Sequence, residues 1–222
     1  MNKDKTIKNI FQYFSGFLIM TLGIALSVKS DLGVSPVSSI PYTITCVIGL
    51  EMGKATILFH IFLVLLQILI LRKQFKIKNL LQIPVGVVFG YFTTFCNFLM
   101  TFIASPDNMG IRVLMMIIST FLIAFGIHLY VPTNLVPLAG EGAMLAISQK
   151  YGKKFSSVKL VFDISMVVIS LTTCLITIHS IGSVGIGTII AAFCVGIELK
   201  WITKLSEISK RRKFILNPAH HG

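Results

Sequence analysis

The chain reads as long apolar stretches separated by short basic bursts or by glycine- and proline-rich breaks. Five stretches are free of charge across a length that crosses a bilayer: Ile10–Val28, Ala55–Leu71, Leu80–Ala104, Val113–Val131 and Val184–Leu199, with Glu198 at the edge of the last. Leu160–Ile178 is a sixth, interrupted by Asp163. Two more segments are apolar but broken. Leu32–Leu50 contains Ser35, Pro36, Ser38, Ser39 and Pro41, and Pro132–Gln149 contains Pro132, Asn134, Pro137, Gly140, Glu141 and Gly142. Either they cross, giving eight spans, or they dip in and return, giving six spans and two re-entrant segments.

The distribution of bases separates these alternatives. With six spans and an inside N-terminus, 16 Lys and Arg fall on inner loops and the tail, against 3 outside (Lys29, Lys54 and Arg112). With eight spans the Arg72–Lys78 cluster moves outside, and the count becomes 14 against 5. Short basic loops stay on the cytoplasmic side, so the six-span arrangement is expected, with both termini cytoplasmic and the only tryptophan, Trp201, at the inner interface. The expected fold is an all-α polytopic membrane protein forming a single membrane domain over residues 1–222.

Composition agrees. Hydrophobic residues make up 55% of the 222 and charged residues 13%, about half the usual share of charge in soluble domains. That excludes a soluble enzyme, a disordered chain and a nucleic-acid module. In such a chain the net +12 reports orientation rather than a nucleic-acid partner. Cys46, Cys96, Cys174 and Cys194 lie in apolar stretches without C-x-x-C spacing and read as small buried side chains. The basic N-terminus leads into Ile10–Val28 with no small-x-small cleavage site, so that run reads as a retained helix.

An internal repeat is visible. LGIALSVKSDLG at 22–33 aligns with FGIHLYVPTNLV at 125–136, an offset of 103 with five identities. Gly53–Lys54 pairs with Gly152–Lys153 at 99, while Gly86, Phe92 and Asn97 pair with Gly187, Phe193 and Glu198 at 101. Each half (10–104 and 113–202) reads helix, broken segment, helix, helix. Three crossings per half oblige the halves to face opposite ways. Opposed interrupted segments in inverted repeats are the usual pointer to a transport site near the midplane.

Three runs resemble the YczE/YyaS/YitT group of bacterial integral membrane proteins. GIALSVKSDLGVSPVSSI resembles that group's G-x-x-L-x-x-x-A-x-L-G-x-x-P-W-D signature, LAGEGAMLAIS its P-x-D-G-L-M-x-A-L stretch, and SVGIGTIIAAFCVG its G-x-G-T-x-x-x-A-x-x-x-G helix. The chain departs at Val37-Ser38, where the group carries Trp-Asp, and at Glu141, which replaces aspartate. The resemblance implies a multispan membrane protein of permease type without a settled substrate.

Ionisable groups within membrane segments cost about 2.5–3.5 kcal/mol on insertion scales, which directs attention to a few residues. Glu141, between Gly140 and Gly142, is suited to a cation, an amine or a proton, and as a solvated loop acid it would do nothing. Burial would raise its pKa and Lys159 would lower it. Asp163 lies four residues beyond Lys159, either as a self-neutralising pair or facing Glu141 in a cavity. Asp31, Pro36 and Ser38 complete the substrate and coupling candidates. Gly140, Gly142, Gly185, Gly187 and Thr188 are expected to shape the cavity, although G-x-G in a bilayer also serves close helix packing. His60 and His128 read as interior histidines, and Glu198 as an interface residue beside Lys200 and Trp201. Lys204–Gly222 reads as a basic tail on anionic lipid.

No catalytic constellation, metal-ligand cluster or cofactor motif is present, so neither an enzyme nor a cofactor is expected. The function expected is a secondary transporter of a small organic solute in the cytoplasmic membrane of a bacterium. The other readings are a membrane binding subunit of an ATP-driven uptake system, whose A-x-x-x-A motif is missing from Ile10–Val28, and a non-transporting assembly factor. The expected partners are the lipid bilayer, the solute and a possible second copy in a homodimer.

Overall fold

The computed structural model describes residues 3–216 and is helical throughout, without strands among them. The helices are α1 (Lys3–Ser30), α2 (Pro36–Ile48), α3 (Met52–Leu71), α4 (Gln82–Thr101), α5 (Met109–Tyr130), α6 (Ala139–Tyr151), α7 (Phe155–Ile178) and α8 (Ile186–Leu216). Six are long and apolar enough to cross a membrane; α2 and α6 are not among them. Each of the two short helices has 13 residues, about 20 Å of rise against a hydrocarbon core of about 30 Å.

Helix directions show what the short helices do. α1 and α5 cross antiparallel, with Gly16 against Gly126 and Gly23 against Ser119. α4 runs with α1, since Phe17 meets Phe89 and Thr21 meets Cys96. α3 runs against α4: Gly53 packs on Gly90, His60 on Gly86, and Gln67 bonds Gln82. The end where α1 finishes, here the far end, is therefore also where α3 begins. Residues 31–51 enter and leave by that end. α2 makes the return leg alongside α7, with Ser170 Oγ donating to Ser39 Oγ at 2.8 Å and Thr43 bonding Ser183 at 2.6 Å. In the same way, residues 131–154 leave α5 and reach the start of α7 at the near end. Both broken segments are thus re-entrant, the alternative with six spans.

Basic residues sort accordingly. Lys8, Arg72–Lys78, Lys150–Lys154, Lys200 and Lys204 lie at the near end, and Lys29, Lys54 and Arg112 at the far end. α7 starts at Phe155, five residues before the expected Leu160–Ile178 stretch, and carries Lys159 and Asp163 as an ion pair. The segment read as a basic tail is helical at its start, since α8 continues to Leu216. Its residues 217–222 lie outside the described ones.

The offset of 103 recurs in the backbone. α2 and α6 start 103 residues apart, as do α3 and α7. Asp31 and Asn134 both adopt left-handed φ (53° and 51°), and so do the helix-ending Gly49 and Gly152 (70° and 61°). At this offset Gly152 matches Gly49 rather than Gly53, the partner expected at 99.

The two halves differ in one respect. Gly53, Gly86 and Gly90 draw α3 tightly onto α4, whereas α7 and α8 scarcely touch. A cavity opens in that gap.

Candidate functional site

α6 carries the central acid. It starts at Ala139, whose carbonyl accepts from Gln67 Nε2 at 3.3 Å. Gln67 and Gln82 are fully buried and exchange amide hydrogen bonds of 2.8 and 3.2 Å. Buried amides must pair, and this pair ties the tip of α6 to α3 and α4. A Cβ at Gly142 would meet the two amides at 2.6–2.8 Å, so a glycine is needed there for the approach. The next helical face turns Glu141 toward the bundle interior, where it accepts a hydrogen bond from the hydroxyl of buried Tyr130, the last residue of α5. The first turn of α6 also favours a negative charge at that place. In this short helix, outside the six spans, burial raises the Glu141 carboxyl above the ordinary carboxylate range. The Tyr130 hydrogen bond and Lys159 pull less strongly the other way.

On α7, Lys159 Nζ donates to Asp163 Oδ2 at 2.7 Å, with side chains 50% and 17% exposed. Asp163 Oδ1 is buried and has no hydrogen-bond partner. Glu141, Lys159 and Asp163 line one cavity of about 450 Å³, together with Pro36 and Ser38 of α2 and Gly140 of α6. The rest of the wall is largely apolar, including Met20, Ile24, Phe59, Phe89, Ile123 and Met144. Its volume lies within the usual range for small-molecule sites. The cavity thus touches both re-entrant segments at their tips.

The chain belongs to the family of unknown function DUF6198, whose model matches residues 7–204. The match takes in α1 through most of α8, so both short helices and every cavity-lining residue lie inside the family region. No curated protein matches the chain, and no solved structure does.

Several expected site residues lie elsewhere. Asp31 is exposed at the far end, paired with Arg112 at 2.7 Å in an open groove away from the cavity. The glycine run opening α8 is a packing joint. Gly187 N donates to the Leu32 carbonyl at 2.7 Å, Gly185 abuts the same carbonyl, and Thr188 Oγ1 accepts from Gly185 N at 3.2 Å. These contacts fit the close-packing reading of the G-x-G. Gly142 faces the amide pair rather than the cavity.

Tyr130, Gln67 and Gln82 were not singled out by sequence. Tyr130 gives no signal at all, being one of many aromatics in apolar runs. Gln67 and Gln82 could have been noticed as amides inside or beside spans. His60 is buried against Phe89, lines the cavity, and leaves Nδ1 unpaired, so it differs from the hydrogen-bonded interior histidine expected. Glu198 is corrected too: its Oε1 accepts from Thr120 of α5 at 3.1 Å, within the bundle rather than at an interface with Lys200 and Trp201. Among the described residues, no three His, Cys, Asp or Glu side chains converge as metal ligands.

Proposed function

We propose that this DUF6198 chain is a secondary transporter, moving a small organic solute across the cytoplasmic membrane with its termini on the cytoplasmic side. One observation carries the proposal: a single cavity reaches the tips of two re-entrant segments and holds Glu141, Lys159 and Asp163 in a largely apolar wall. Charged groups at such depth are costly unless they serve ligand or proton binding. The recurrence at 103 residues, with α1 and α5 antiparallel, supports two inverted repeats. Inverted repeats supply alternating access by rocking about a central site. The resemblance to the YczE/YyaS/YitT permease-type group points the same way.

The asymmetry between the halves fits one of the two end states. The α3–α4 side is closed by glycine contacts and the α7–α8 side is open. In the opposite state, α7 would close on α8 while α3 parts from α4. The test is a single cysteine at Ser38 in a chain lacking the four native cysteines. Membrane-impermeant thiol reagents should reach it from each side in turn. Reactivity confined to one side, with and without an imposed ion gradient, would overturn alternating access.

A further inference from the structure

We infer that the cavity binds a lipophilic organic amine in its protonated form and admits it sideways from the lipid, between α7 and α8. The inference rests on the transporter reading for the site but not for the transport step. Charge selects the ligand class. Two carboxyl groups, Glu141 and Asp163, line the cavity, and Lys159 is the only lysine or arginine among its described lining residues. With both acids ionised the site carries one net negative charge. Asp163 Oδ1 is buried without a partner, whereas the unpaired Nδ1 of His60 lies against Gly86 of α4. An ammonium N–H donor satisfies a free carboxylate oxygen, and a carboxylate or an alkyl group does not. Lys159 is half exposed, so its ammonium can swing outward and leave Asp163 to the ligand with charge conserved. The apolar wall, with Phe59 and Phe89, suits the hydrocarbon part of the amine and offers ring faces to a cation.

The route follows from the gap. α7 and α8 scarcely touch, yet both line the cavity, through Phe155, Lys159 and Asp163 on one side and Ala192 and Gly196 on the other. Gly196 is exposed, and a Cβ added there meets no atom within 4 Å. A large side chain at this position would fill the gap without displacing the fold.

The experiment uses the full chain in lipid nanodiscs and three isosteric probes: 4-phenylbutylamine, 4-phenylbutanol and 4-phenylbutyrate. Saturable binding of the amine, at least tenfold tighter than the alcohol and with no measurable binding of the acid, is expected. Equal binding of the alcohol or the acid by the wild-type chain would overturn the ligand class without recourse to any variant. Asp163→Asn should weaken the amine at least tenfold. Gly196→Trp should slow association and dissociation at least fivefold at unchanged affinity, with Gly196→Ala behaving as wild type. Wild-type rates in Gly196→Trp would overturn the lateral route. The two readings separate cleanly: amine binding without one-sided-to-other-sided exposure of Ser38→Cys leaves this inference standing while the transporter reading falls. Alternating exposure without amine binding does the reverse.

Discussion

Val37 and Gly140 touch, and they stand 103 residues apart, the displacement that also relates Asp31 to Asn134; a Cβ at Gly140 would lie 3.4 Å from Val37 Cγ1. Each is the other's counterpart. Around them, contacts come in exchanged pairs. Gly16 meets Gly126 while Gly23 meets Ser119, and Ser39 meets Ser170 while Gly142 meets Gln67. In each case, adding 103 to one partner and subtracting it from the other gives the second contact. The inverted repeats proposed above would produce this pattern, with residues on the axis between them meeting their own equivalents. The tips of α2 and α6 therefore sit at the centre of the bundle, where the cavity begins.

Two adjacent glycine positions should behave differently. Gly140→Ala places its methyl in ordinary contact with Val37, whereas Gly142→Ala drives it into the Gln67–Gln82 amide pair. Overpacking and loss of buried amide bonds should lower the stability of Gly142→Ala by about 1–3 kcal/mol. Gly140→Ala should stay within about 0.5 kcal/mol of wild type. Thermal unfolding of both variants in one detergent reads the contrast, and equal melting temperatures would show that α6 is not held by those amides.

At the far end, Arg112 matters more than its ionic partner. The Asp31 side chain is 81% exposed, so the ion pair itself contributes at most about 1 kcal/mol. Arg112 also donates to the backbone carbonyls of Ser30 and Asp31, which end α1. Its Nε–Ser30 bond is 2.8 Å. Arg112→Ala should therefore destabilise by about 1–2 kcal/mol more than Asp31→Asn. Similar losses from the two substitutions would return the contact to an ordinary surface pair.

Much of this architecture was legible because bilayer crossing imposes length and charge rules on sequence. Five of the six spans fall within about five residues of the expected stretches and the last runs on past Leu199, and the base count agrees with six long apolar helices rather than eight. Glu141, Asp163 and Lys159 were legible because ionisable residues are rare inside apolar segments. What failed depends on three-dimensional approach. Asp31 looked like part of the broken segment, but its left-handed turn leaves it at the surface with Arg112, 81 residues away. Gly185 and Gly187 are open in sequence to both a cavity-shaping and a packing role, and only the approach of the Leu32 carbonyl in the fold separates the two. Tyr130 has no local signature, since only the fold brings its hydroxyl to a carboxyl eleven residues on.

Labelling tests the topology directly. In a chain lacking native cysteines, Lys76→Cys should react with impermeant maleimide only in inside-out vesicles, and Asn108→Cys only in intact cells. Reaction of both from the same face would contradict the placement of residues 72–81 and 102–108 at opposite ends of the bundle.

The carboxyl of Glu141 gives the pH dependence its sign. Burial raises its pKa in the folded chain above the unfolded value, while Tyr130 and Lys159 oppose this without prevailing. Between the unfolded value of about 4.3 and the raised folded one, the folded state binds more protons than the unfolded state. Stability due to this group is therefore full at low pH and declines as pH rises through that window. Glu141→Gln removes the titration but keeps an oxygen acceptor for the Tyr130 hydroxyl. Its melting temperature relative to wild type should climb as pH rises above the unfolded value of about 4.3 and level off once the wild-type acid is fully ionised. Tyr130→Phe, by deleting a bond that favours the ionised form, should push the decline to higher pH. In proteoliposomes the same substitution separates roles. If Glu141 carries the proton, Glu141→Gln will still exchange solute across the membrane at equal concentrations but will not accumulate it against an imposed pH gradient. Gradient-driven accumulation at the wild-type level by Glu141→Gln, together with a flat difference in melting temperature across pH, would reduce this acid to a hydrogen-bond partner of Tyr130 and nothing more.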